Sequence, residues 1–181
     1  MKSKSFITDD YFDLLTEQEA KFIFDHGEKM LKNTLDINAI IMTKVTTLTT
    51  VTTTLLMALF SFTINRFDSN KTDSLFTTAV VGIIYLFTIT VMLFLNSKPN
   101  LYYSMGSHPR DFFTHILINN DNMNYRVLVF YVNEIHECQQ RILHNISINE
   151  KRWRLYKISF IMLMLTPVVL SFAYGALTIL F

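Results

Sequence analysis

The chain has 181 residues, half of them apolar and 17% charged, with a formal net charge of +1. A total that small selects no partner, because the charge separates by region rather than by sum. Cys138 is the only cysteine, which excludes an intramolecular disulfide.

Three runs contain no Asp, Glu, Lys or Arg: residues 45–65, 74–97 and 158–181, with lengths of 21, 24 and 24. A hydrocarbon core of about 30 Å needs about 20 helical residues, so each run is long enough to cross it. In lipid each backbone amide must be paired within its own segment, which predicts helices. Barrel strands would instead be about 10 residues long with strict alternation. The polar segments are too short for a separate enzyme domain of ordinary size. The expected fold class is all-α, an integral membrane protein with three transmembrane helices and two cytoplasmic helical arms.

Residues 1–44 form the first arm. They hold no apolar run near the start, so no signal peptide is expected and the first span should stay in the mature protein. Thr16 and Glu19 have the spacing of a capping box. Glu17 with Lys21 and Glu28 with Lys32 stand at i,i+4, and no proline precedes Pro99. These features predict a helix from Thr16 into the first span, with Gly27 its weak point. Its polar part would project about 40 Å.

The first span, 45–65, opens with Thr46, Thr47, Thr49, Thr50, Thr52, Thr53 and Thr54. Thr46, Thr50 and Thr53 share one helix face, and Thr43, Thr47, Thr50 and Thr54 another. Such hydroxyls suit close helix packing or a hydrated pore lining, and the sequence leaves both open. A hairpin at 66–73 leads to the second span, 74–97, where Thr78 and Gly82 make a small-xxx-small pair.

Residues 98–157 begin irregularly, with Pro99, Gly106 and Pro109. Pro109 suits the first position of a helix capped by Ser107 or His108, and Asn119-Asn120-Asp121-Asn122 reads as a turn. Neither Gly nor Pro occurs over 124–157, where Leu128, Tyr131, Val132, Ile135, Cys138, Ile142 and Ile146 form a helical stripe. The arms 16–38 and 124–157 are expected to pack on each other or on neighbouring copies. The last span, 158–181, contains Pro167, which frees the Leu163 carbonyl and permits a kink, and a second small pair, Ser171 and Gly175.

Orientation follows from the basic residues. Six Lys precede the first span and eight cations lie over 98–157, against only Arg66 and Lys71 in the first hairpin. Cations gather on the cytoplasmic side, so the N-terminus is expected inside and the C-terminus outside. Lys151, Arg152, Trp153, Arg154, Tyr156 and Lys157, directly before the last span, read as a membrane anchor of snorkelling cations and interfacial aromatics.

Four histidines, His108, His115, His136 and His144, lack companion ligands at metal-like spacing, so no metal site is expected. No Ser-His-Asp order, glycine-rich phosphate loop or HExxH motif occurs, no direct nucleic-acid site is evident, and the chain is read as no enzyme.

Several segments together resemble a known family. They are Glu28-Lys29-Met30-Leu31-Lys32-Asn33-Thr34-Leu35 leading through Asp36 and Lys44 into the first span, Lys98-Pro99 with Gly106-Ser107-His108-Pro109, and the stretch 134–145 with Asn149, Lys151 and Arg152. In this order and architecture the chain resembles the Pycsar transmembrane effectors of bacterial anti-phage defence, with the related SLATT-type and retron membrane effectors. The resemblance implies a protein of the bacterial inner (plasma) membrane that impairs membrane integrity in abortive infection. The trigger would be a nucleotide signal from a cyclase, with a cyclic nucleotide as ligand, or release from a partner reverse transcriptase complex. No cofactor is expected.

On this reading a homo-oligomer in the lipid bilayer permeabilises the membrane. Thr46, Thr50, Thr53 and Pro167 serve the path or the packing around it. An anionic ligand needs cations and aromatic faces, which selects Tyr102, Tyr103, His108, Arg110 and the arm from Arg126 to Arg154 as the sensing region. The alternative is a non-toxic structural or scaffold subunit of a membrane complex, which shares every feature except the need to conduct.

Overall fold

The computed structural model describes residues 15–68, 73–106 and 123–180. Their regular structure is entirely helical: α1 (Glu17–Asp68), α2 (Ser74–Asn96) and α3 (Met123–Leu180). All three helices are long and apolar enough to cross a membrane. α1 and α3 each join a polar arm to an apolar run without interruption, and α3 continues through Pro167.

The helix ends have local causes. Thr16 Oγ1 accepts from the Glu19 amide at 3.3 Å, and Glu19 Oε2 accepts from the Thr16 amide at 2.9 Å, which closes the capping box at the start of α1. Asp73 caps α2 by accepting from the Phe76 amide at 3.1 Å. It also meets Arg66 at 3.3 Å, an exposed pair worth no more than about 1 kcal/mol. α2 ends where the Ser97 amide turns back to Leu93 O and Phe94 O, two residues before Pro99.

The chain forms two compact units: Met1–Asn38 with Leu101–Asn149, and Ala39–Asn100 with Glu150–Phe181. In the first, Leu31, Cys138 and Ile142 make the core and Ile146 packs against it. A Cβ on Gly27 would lie 3.2 Å from Cys138 Sγ. The residue that weakens α1 locally is therefore the one that lets α3 approach.

In the second unit Ile41, Val45 and Leu48 of α1 meet Leu86, Ile89 and Leu93 of α2 and Leu163 of α3. Buried positions recur in alternating steps of four and three: 41, 45, 48 and 52 on α1, and 79, 82, 86, 89, 93 and 96 on α2. That 3.5-residue period is the seam of left-handed helix packing. Gly82 leaves room for the packing around it, because a Cβ there would sit 2.9 Å from Leu170 Cδ2 and 3.0 Å from Leu59 Cδ1. Among the described residues nothing lies within 4 Å of a Cβ built on Gly175, so the second small pair makes no close contact there. Tyr85 donates its hydroxyl to Met162 O at 2.8 Å, one residue before the carbonyl that Pro167 leaves without a helical donor. Outward positions carry exposed Phe60, Ile84, Phe87, Phe94 and Phe172, which suits helices whose solvent is lipid.

Candidate functional site

In the first unit, residues 101–106 form no regular structure, and side chains of the flanking helices bond its backbone at Leu101, Tyr103 and Gly106. Asn145 is fully buried on α3. Its Oδ1 accepts from the Tyr103 amide at 3.1 Å, and its Nδ2 donates to Tyr103 O at 3.1 Å and to Thr34 Oγ1 at 3.2 Å. One turn on, Asn149 accepts from the Tyr102 hydroxyl at 2.9 Å and donates to Thr34 O at 2.8 Å. Two polar side chains in a helix seam thus fasten the segment to α1 and α3 at once. Gly106 closes it at φ +76°, a conformation that favours glycine. Its amide donates to Glu28 Oε1 at 3.2 Å, and its carbonyl accepts from Arg141 at 2.9 Å. Glu28 thus holds this turn, and no ion pair between it and Lys32 occurs among the described residues.

The same segment walls a recess of about 400 Å³, with Tyr103, Ser104 and Gly106 on one side and Glu137, Gln140, Arg141 and His144 of α3 on the other. Spacings of three and four put the α3 residues on one helix face. The Tyr103 and His144 rings meet edge to face at 4.9 Å, and His144 Nε2–H donates to Leu101 O at 3.1 Å. Beneath this face burial pushes the Cys138 thiol up, and the carboxylate of Glu28 adds to the rise. The thiol stays protonated and packed at neutral pH.

Of the residues selected from sequence for sensing, Tyr103 borders this recess and Tyr102 holds Asn149. His108 and Arg110 lie outside the described residues. Arg126 is partly buried near the start of α3, and its Nε has no hydrogen-bond partner among the described residues. Glu137, Gln140, Arg141 and His144 lie within the arm expected to sense the signal but were not singled out in it, and their i, i+3, i+4, i+7 spacing was the available signal.

In the second unit Thr46, Thr50 and Thr53 are exposed on the chain, whereas Thr52, assigned to neither threonine row, is fully buried. Thr46 Oγ1 donates to Met42 O at 2.9 Å and Thr50 Oγ1 to Thr46 O at 3.1 Å, so these hydroxyls satisfy themselves on their own helix. Two shallow grooves of about 400 and 580 Å³ run along this face, and Thr46 and Thr50 line both. Pro167 is exposed within α3, where its carbonyl accepts from Ser171 Oγ at 2.8 Å.

The basic cluster divides by direction. Lys151, Arg154 and Lys157 are exposed, Trp153 and Tyr156 are half-buried and stacked at 5.3 Å, and Arg152 turns inward at 4% exposure. Arg152 donates to Lys98 O at 2.5 Å and to Met42 Sδ at 2.9 Å. With the Asn100 amide oriented to satisfy both partners, Asn100 Oδ1 also accepts from Arg152 Nε at 3.1 Å. In return Asn96 Nδ2 donates to Arg152 O at 3.1 Å. A cation thus sits where the dipole of α2 ends, the favourable sign at a helix C-terminus.

Comparison of the chain with known protein families, with curated proteins and with solved structures returns no match.

Proposed function

We propose that the chain is a multi-pass effector of the bacterial inner membrane, with its N-terminus and residues 98–157 in the cytoplasm, whose homo-oligomers impair the membrane during abortive infection. The observation that carries this reading is the exposed threonine face of α1. Thr43, Thr46, Thr47, Thr50, Thr53 and Thr54 point away from the chain's own core, inside or beside a run that is otherwise lipid-compatible. Within a bilayer such a face meets another copy or water more favourably than acyl chains.

The recess beside Tyr103, Arg141 and His144 supports a triggering ligand of anionic, aromatic character, the chemistry of a cyclic nucleotide. The scaffold reading draws on a different observation. Because the Thr46 and Thr50 hydroxyls already bond their own helix, the face can pack dry against a neighbour without conducting.

Ion flux from liposomes containing the purified protein, with cyclic nucleotides added in turn, separates the two. The effector reading expects nucleotide-dependent flux that falls in Thr50→Val at unchanged oligomer size. A stable oligomer that passes no ions under any of these nucleotides supports the scaffold.

A further inference from the structure

In the second unit Lys44 of α1 and Lys157 of α3 converge on a single indole. Lys44 Nζ lies 4.9 Å and Lys157 Nζ 5.5 Å from the centre of the Trp153 ring. The two lysines are 113 positions apart in sequence, yet each stands one residue before an uncharged run, at 45–65 and 158–181. Both are exposed, and neither has a carboxylate within ion-pair distance among the described residues. Tyr156 stacks on Trp153 at 5.3 Å and Phe160 on Tyr156 at 6.1 Å, an aromatic row leading from the cations into the apolar run.

Cation–π attraction to the indole offsets part of the repulsion between two like charges gathered in one place, and an anion beside both would offset the rest. Taking the membrane reading above as given, this end of the helices lies at the headgroup level, where the available anions are lipid phosphates.

We propose that Lys44, Trp153 and Lys157 form a binding site for the headgroup of an anionic phospholipid. The two ammonium groups hold the phosphate, and the Trp153, Tyr156 and Phe160 row lies along the glycerol and upper acyl chain. This differs from a diffuse basic anchor in that Lys151 and Arg154, equally exposed on the same helix, take no part. Helix α1 must contribute Lys44 for the site to exist.

Trp153 is the only tryptophan, so its fluorescence reports on this place alone. The full-length protein would be placed in phosphatidylcholine nanodiscs with a rising fraction of phosphatidylglycerol. Trp153 emission and the lipid retained on native mass spectrometry would then be recorded. The parent should show a saturable emission change and keep phosphatidylglycerol in preference to phosphatidylcholine. In Lys44→Gln/Lys157→Gln that preference should fall by roughly fivefold per lysine removed, the worth of one cation at an anionic surface. Lys44→Arg/Lys157→Arg and the charge-matched control Lys151→Gln/Arg154→Gln should both keep it.

Equal loss in the control would reduce the site to summed charge and overturn the proposal. So would an unchanged preference in Lys44→Gln/Lys157→Gln, or the same emission change from inorganic phosphate without anionic lipid. The membrane reading fails separately, if the parent washes off native membranes in alkaline carbonate.

Discussion

Replacing Asn145 by Ala removes three hydrogen bonds at once: two to the backbone of Tyr103, both at 3.1 Å, and one to Thr34 Oγ1 at 3.2 Å. A net hydrogen bond contributes about 1 kcal/mol, and a buried partner left unpaired costs about 1–3 kcal/mol. Thr34 keeps its own bond to Leu31 O at 2.7 Å, so its share is small. Tyr103 is 43% exposed, and water can reach part of what is released. The expected loss is therefore about 2–4 kcal/mol, concentrated in segment 101–106. Hydrogen–deuterium exchange should show peptides covering that segment losing protection by more than tenfold, while peptides from 79–96 change little. Asn145→Asp should do worse than Ala, because it keeps one acceptor and adds a carboxylate with no space to hydrate. Unchanged exchange over 101–106 in Asn145→Ala would refute the view that this side chain holds the segment.

The two small pairs should behave differently. Gly82→Ala should cost about 1 kcal/mol, because the ends of Leu59 and Leu170 can turn aside, and Gly82→Leu several times that. Gly175→Ala meets no atom of the described residues and should be neutral or slightly stabilising in denaturant titrations in micelles; equal losses at both glycines would contradict the seam. The bond from Thr16 holds the Glu19 carboxyl below the usual carboxylate range. A depressed folded-state pKa means that the cap contributes above the unfolded value of about 4.3 and is lost as pH falls through the lower folded one. Thr16→Ala should return the NMR-observed titration of Glu19 toward its ordinary position, and an unmoved titration would show that the cap is not its cause. Reporter fusions should place Ser69 outside and Asp121 in the cytoplasm, and the opposite pair of signals would invert the orientation.

Charge was the legible part of this fold. The three uncharged runs, the capping box and the lack of proline before Pro99 were enough to anticipate α1 and α2, and α1 runs unbroken through Gly27. What eluded the sequence was polar chemistry inside a seam. The apolar stripe on α3 was followed from Ile142 to Ile146, whereas the 3.5-residue step goes from Ile142 to the buried Asn145 and Asn149. A polar residue in a helix reads as surface until its partners are known, and here they lie 42 to 115 positions away. Ile135, one of the stripe, is only half-buried, whereas Ile142 is buried in the core.

The burial of Thr52 has a related cause. Hydroxyl content groups Thr46, Thr50 and Thr53, but which face turns inward is set by Ile41, Val45 and Leu48, and these carry Thr52 with them. Arg152 was hidden among outward cations because its acceptors, Lys98 O and Asn100, belong to an irregular segment.

The most direct test of the central claim is the membrane potential of bacteria expressing the protein, followed with a voltage-sensitive dye through a phage challenge. The effector account predicts depolarisation before lysis in cells with the parent chain, and its loss in Thr50→Val at matched membrane abundance. A potential that tracks the empty-vector control throughout the challenge, with the parent chain present in the inner membrane, would contradict it.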